Sequence, residues 1–191
     1  MKRERWKDLL SCLLLACGTV LVFLGARTVW ESYFGQTAAA RGFSPVAPAS
    51  ATVARGPRHG DTVAKLTIPR LTAQLYVVEG DDPDDLRRGP GHLTGSAMPG
   101  DRGNCVIAGH RDTHFRVLKE IRPGDDIVMQ TDAGRFLYRV EKTAVVAPSD
   151  TRPLRRTGSP VLNLITCYPF YYVGSAPQRF VVEARLAGKA K

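Results

Sequence analysis

The stretch Val161-Leu162-Asn163-Leu164-Ile165-Thr166-Cys167-Tyr168-Pro169-Phe170 decides the fold. An apolar run rich in strand-forming residues stops at Thr166-Cys167, and Tyr168-Pro169 breaks it. A cysteine on the last position of a buried strand has a fixed backbone and a sulfur at the sheet's edge, which suits a nucleophile. The plainer reading is a small buried apolar side chain, the commonest fate of a free cysteine.

Two further stretches favour the nucleophile. Asn104-Cys105-Val106-Ile107-Ala108-Gly109-His110 is a short apolar strand that ends on a histidine. Pro177-Gln178-Arg179-Phe180-Val181-Val182 opens another strand with an arginine. Cysteine, histidine and arginine each stand at the end of a β segment, and three such ends can meet on one rim of a barrel. Here the chain resembles the sortases, membrane-anchored cysteine transpeptidases. The matching residues are Leu-x-Thr-Cys at 164–167, Gly109-His110 and Arg179. The strings GPGHLTGSAMPGDRGNCVIAGHRDTHF and CYPFYYVGSAPQRFVV are most similar to class D members. The resemblance runs from about Val63 to Leu186, with its motifs in family order. It implies a closed, all-β sortase-like barrel of about eight strands with a few short helices, preceded by one N-terminal transmembrane helix.

A chain of 191 residues accommodates one domain plus an attachment segment. Frequent Gly and Pro between clusters of β-branched residues agree with an all-β domain. The formal charge is +9, but the Lys and Arg are scattered, and no basic stripe carries interleaved aromatics. That argues against nucleic acid and for work beside an anionic membrane or cell wall. Of the four cysteines, Cys12 and Cys17 lie in the apolar N-terminal run. If the strands ending at His110 and Cys167 run parallel, Cys105 sits five residues back along its strand. That is roughly 16 Å, beyond the roughly 7 Å Cα limit of a disulfide. Cys105 is therefore expected to be a buried thiol and Cys167 a free one.

Residues 1–8, MKRERWKD, form a basic tail, expected to be cytoplasmic. Residues 9–26 carry no charge and as a helix reach about 27 Å, near the hydrocarbon thickness. Arg27, Trp30 and Tyr33 follow, as at a membrane interface. The alternative, a cleaved signal peptide, has a small-residue site at Ala38-Ala39-Ala40, but it lies far past the apolar run. The expectation is a single-pass anchor in the cytoplasmic membrane with the catalytic domain, residues 61–191, outside. Residues 27–60, rich in Ala, Pro, Gly and Ser from Glu31 onward, read as a flexible linker. It contains no Asp-Pro-aromatic lid, so the cleft is expected to be uncovered.

Within the domain, 63–68 and 74–78 read as strands. The acidic run 79–86 tempts a calcium reading. A helix start is favoured, with Asp82 as cap, Pro83 first, and carboxylates on the positive dipole end. His92 resembles a family position near the site, and is equally a polar turn residue. His110 and His114 have a zinc-like His-x₃-His spacing. No Glu follows the first His as in HExxH, and no third ligand is evident. His114 and Phe115 are expected to line the cleft or brace its loop. A short helical turn covers 115–121, a hairpin turns at Asp132-Ala133-Gly134, and a polar loop, 148–159, precedes the cysteine strand.

In the resembled family, His110 as imidazolium steadies the Cys167 thiolate and gives a proton to the leaving amine. Arg179, always charged and fork-shaped, meets the oxyanion or the substrate backbone. Asp112 is discounted as a third member. Cys167 would cleave an LPxT-like C-terminal sorting signal after Thr, hold a thioester, and pass it to an amine. That amine belongs to a peptidoglycan precursor or a pilin-like lysine. Thr166, Phe170 and Tyr172, with His92, His114 and Phe115, are the expected substrate contacts. This chemistry needs no metal or organic cofactor. The competing functions are an anchored cysteine hydrolase without acyl transfer and a non-catalytic anchored β module.

Overall fold

The computed structural model describes residues 2–43 and 56–190. Eight strands form a closed barrel: β1 (Thr62–Ile68), β2 (Ala73–Glu79), β3 (Gly91–His92), β4 (Asn104–Gly109), β5 (Asp126–Thr131), β6 (Gly134–Val146), β7 (Val161–Tyr168) and β8 (Gln178–Lys189). Around the barrel they lie in the order β1-β2-β3-β4-β7-β8-β6-β5, and β5 returns to β1. Only β2–β3 and β4–β7 are parallel pairs; the remaining neighbours are antiparallel. Closure gives each strand a neighbour on both sides, the usual solution for a small all-β domain, though the short β3 covers only Val78 and Glu79 of β2.

Local chemistry explains the punctuation. Pro69 cannot extend the β1 ladder and starts a 3-10 turn, Pro69–Leu71. Gly134, at φ 133°, closes the tight β5–β6 hairpin opposite Thr131. β5 alternates buried and half-exposed positions, the period of a strand with one face inward. β4 and most of β7 are buried on both faces, as parallel strands commonly are. The core contains Leu66, Ile107, Phe115, Ile127, Met129 and Leu164, none of them accessible to solvent. Each such side chain contributes roughly 1.5–3 kcal/mol by leaving water.

The acidic run forms the start of α2 (Pro83–Arg88), with Pro83 first and Asp84 and Asp85 in its first turn. Asp82 holds the cap position, but its side chain makes no capping bond.

Among the described residues, helix α1 (Lys2–Gly42) precedes the barrel. Its Leu10–Arg27 portion is long and apolar enough to cross a membrane. The helix then continues through much of the segment expected to be a flexible linker. Residues 44–55 of that segment lie outside the described residues, as does the side chain of Tyr33. The continuation is docked. Gln36 Nε2 donates to the carbonyls of Tyr76 and Arg88, at 3.0 and 2.8 Å. Its Oε1 accepts from the Tyr76 N–H at 2.8 Å. Thr62 Oγ1 donates to the Ala39 carbonyl at 3.2 Å. At Gly35 the Arg88 backbone comes so close that a Cβ would lie 2.6 Å from Arg88 Cα.

Candidate active site

Register brings the three strand ends together. In the parallel pair β4–β7, Gly109 stands opposite Thr166. In the antiparallel pair β7–β8, Cys167 stands opposite Arg179. His110 follows Gly109 and Cys167 follows Thr166, so all three occupy one rim on adjacent strands, which are spaced about 4.8 Å apart. The Thr166 hydroxyl donates to the Gly109 carbonyl at 2.6 Å and ties the two strands just below that rim. His110 is exposed; Cys167 and Arg179 are half-buried.

The loop after β4 is set from beneath. The Phe115 N–H donates to the His110 carbonyl at 2.9 Å. The Phe115 ring lies under Gly109, where an added Cβ would meet it at 2.7 Å. Phe115 begins to explain why a glycine precedes His110: no larger residue fits between the strand end and the ring.

Arg179 is engaged with its own loop. Its Nη1 donates to the carbonyls of Ala176 and Gln178, at 3.3 and 3.0 Å. Nη2 and Nε take no part in these two bonds, so the fork can meet a substrate while Nη1 stays on its loop.

The two domain cysteines differ sharply. Both are free thiols. Cys105 is 1% exposed, and burial pushes its thiol far above the ordinary range, with Asp101 and Glu79 adding to the rise. A thiol so placed has no thiolate to offer. The parallel pairing of β4 and β7 keeps it at the opposite end of its strand from the rim, as the sequence predicts.

Four expected substrate contacts are corrected by burial. His92 is 2% exposed, with Nδ1 at 2.7 Å from Glu79 Oε2 and Nε2 at 2.9 Å from Ser96 Oγ. Both ring nitrogens are occupied, so it serves the β3 turn. Phe115 is a core residue, with no surface for a ligand. His114 is also buried, so it braces the loop and does not line a cleft. Burial lowers its pKa, as does the charge of His110; a bond with the Arg87 backbone and the nearby Asp112 oppose this. Its Nε2 is buried without a partner among the described residues. Thr166 is buried with its hydroxyl committed to Gly109. Phe170 and Tyr172 remain reachable. Phe170 is half-buried in an aromatic group with Tyr168 and Phe180, at centroid distances of 5.9 and 5.3 Å. Tyr172 is exposed.

Sequence reasoning missed Arg111. Its Nη2 donates to the carbonyls of Tyr172 and Gly174, at 2.8 and 3.1 Å. Its guanidinium carbon lies 5.8 Å from the Tyr172 ring centre. The signal available was a permanent charge directly after His110, which in the sequence reads as an ordinary solvated loop side chain.

Among the described residues, the group able to present three metal ligands is His59, Asp82 and Asp85, near the start of α2. His59 Nδ1 lies 3.3 Å from Asp85 Oδ2, an ordinary His–carboxylate pair. Neither His110 nor His114 belongs to that group. A cavity of about 1240 Å³ lies between α1 and the barrel, with Trp30, Phe34 and Arg88 in its wall, and no residue of the Cys167 rim lines it.

Comparison with known proteins adds the following. A family model described as the Sortase domain matches residues 66–187. Sortase D of Bacillus subtilis (strain 168) is 41% identical over 130 residues, covering 68% of this chain and 66% of that protein. Sortase SrtE1 of Streptomyces coelicolor is 33% identical over 129 residues, covering 58% of this chain and 37% of that protein. The chain thus spans less than two thirds of the length of either relative. A Clostridium perfringens Sortase D5 transpeptidase structure superposes with a TM-score of 0.64 at 30% identity, covering 70% of this chain and 83% of that one. Sortase A from Corynebacterium diphtheriae gives 0.62 at 32% identity, covering 68% and 62%.

Proposed function

Because the chain belongs to the sortase family, we propose that it is a membrane-anchored cysteine transpeptidase whose acting residues are Cys167, His110 and Arg179. The observation that carries this reading is the register that puts Cys167 opposite Arg179 and one residue beyond the Thr166–Gly109 pair that precedes His110. The substrate is a protein with an LPxT-like C-terminal sorting signal, presented on the extracytoplasmic side of the membrane that α1 crosses.

The Cys167 thiolate attacks the carbonyl carbon of the signal's Thr, forming a C–S bond and a tetrahedral oxyanion. Arg179, with Nη2 and Nε not used by the Ala176 and Gln178 carbonyls, pairs with that oxyanion, a charge absent from the bound substrate. His110 as imidazolium gives its proton to the departing amine as the C–N bond breaks. The product is a Cys167 thioester and a neutral imidazole. An incoming amine, from a peptidoglycan precursor or a pilin-like lysine, then attacks the thioester and loses a proton to His110. Collapse forms the new amide and returns the thiolate.

The test is the full chain in micelles with a labelled sorting peptide, with and without an added amine. Amine-dependent ligation is expected, and it vanishes in Cys167→Ala. Arg179→Ala is expected to lower kcat by about 10²–10³-fold, the cost of losing one oxyanion donor. Arg179→Lys restores little, because Lys lacks the planar fork. Cleavage that ignores the amine would make the protein a hydrolase. Near-normal turnover in Arg179→Ala would remove the arginine from the reaction.

A further inference from the structure

Resting on that reading, we propose that Arg111 is a positioning residue: it straps the loop after the nucleophile to the loop that carries His110, and so shapes the wall against which the peptide binds. The loop from Tyr172 to Gln178 offers its carbonyls to two guanidinium groups in alternation. Tyr172 and Gly174 are taken by Arg111. Ala176 and Gln178 are taken by Arg179. The Tyr172 ring under the Arg111 guanidinium adds a cation–π contact.

The two grips have different tasks. Arg179 holds its carbonyls through Nη1, at 3.3 and 3.0 Å, and has a reaction to serve with the rest of its fork. The other half is kept by Arg111, while Tyr171, just before it, is gripped through its hydroxyl by Lys119 at 3.2 Å and faces the Arg116 guanidinium. Val173 is fully exposed, so no apolar burial holds the tip. Arg111 is itself placed by the strand end, one residue after His110, and its Nη1 is enclosed without a partner among the described residues. The guanidinium is therefore held by the loop carbonyls it holds, and the His110 loop and the loop after Cys167 order each other.

This predicts a split in the kinetics. A loop that must be ordered by the incoming peptide weakens ground state and transition state alike, so its cost falls on KM and spares kcat. A residue that acted on the oxyanion would do the reverse.

The experiment compares the full-length wild type, Arg111→Ala and Arg111→Lys in lipid nanodiscs. Chymotryptic cleavage after Tyr171 and Tyr172, mapped by mass spectrometry, reads how often the loop opens without any need for turnover. In Arg111→Ala, cleavage is expected to speed up roughly tenfold, and KM for the peptide to rise roughly tenfold with kcat within about twofold. Arg111→Lys, with its charge but no fork, is expected to fall between. The barrel's unfolding midpoint reports any general damage. Unchanged loop cleavage in Arg111→Ala overturns the strap whether or not the enzyme turns over. Faster cleavage with unchanged KM overturns its part in binding. Failure of the transpeptidase reading is seen separately, as wild type without Cys167-dependent ligation.

Discussion

Gly109→Ala is the most informative single substitution. The new methyl group would lie 2.7–3.0 Å from three atoms of the Phe115 ring. Side chains do not approach so closely, and Phe115 has no free direction. It is wholly buried, and its N–H is bonded to the His110 carbonyl. Gly109 is also held, through its carbonyl, by Thr166. Either the ring or the strand end must move. Overpacking of this kind costs about 1–3 kcal/mol, a fall of roughly 4–12 °C in the unfolding midpoint for a barrel of this size. The activity loss should exceed what stability accounts for, because a shift of the ring pulls on His110 directly. A displacement near 1 Å at a reacting group can cost about 10²-fold, so kcat/KM is expected to fall at least tenfold or so. Gly158→Ala is the control, since nothing lies within 4 Å of its added methyl. In the double variant Gly109→Ala with Phe115→Leu, the smaller side chain makes room, so the two costs should sum to less than their separate values. Thermal unfolding and peptide cleavage by the full chain read both effects. Wild-type behaviour of Gly109→Ala, or full additivity in the double variant, would refute the packing argument.

Three further outcomes follow from other parts of the fold. In a Cys12→Ala, Cys17→Ala background, a methanethiosulfonate reagent should modify Cys167 in the native protein and Cys105 only after denaturation, because burial keeps the Cys105 thiol protonated; equal labelling would contradict its burial. Arg70 donates to both Asp125 oxygens, at 2.5 and 2.7 Å, and holds the Asp125 carboxyl below its ordinary value. The contribution is complete above the unfolded carboxyl's pKa of about 4 and is lost as pH falls through the lower folded value. Arg70→Met should therefore destabilise the protein at pH 7, by a gap that closes as melting is followed toward pH 2; a gap independent of pH would exclude the pair as its source. Gly35→Leu should detach the helix after its apolar Leu10–Arg27 stretch, since any Cβ there meets the Arg88 backbone. Hydrogen exchange of residues 36–42 in nanodiscs should rise while the barrel's midpoint barely moves, and unchanged exchange would mean the contact at Arg88 does not hold the helix.

The barrel was readable because its strands announce themselves locally. Pro69, Gly134 and Pro169 break apolar runs where L-residues or a missing N–H forbid continuation, and the structure turns at each. The relation between β4 and β7 was also readable, but only through function. Two strands whose C-terminal residues must meet have to run parallel, and they do. What the sequence could not separate was a residue near the rim from one beneath it. His92, His114 and Phe115 stand within a few positions of His110 in chain or register, yet all three point into the barrel wall. A polar residue at such a place is buried when partners wait for it, as Glu79 and Ser96 wait for His92, and those partners come from other strands and turns.

The linker fails for a related and sharper reason. Thr37-Ala38-Ala39-Ala40-Arg41 is good helix-forming material, but a short helix is marginal in water without a surface to pack on. The surface that decides is far away in sequence. Tyr76 and Arg88 lie 40 and 52 residues from Gln36, which bonds to both of them. The same small residues that made the segment look structureless, Gly35 and Ala39, are what let a helix approach a backbone so closely. Composition alone reads glycine and alanine as freedom; against a matching wall they become contact. On the proposed reading this bears on the chemistry, because a helix docked on the barrel just beyond its apolar Leu10–Arg27 stretch would set the height of the rim, where a free linker would leave it slack.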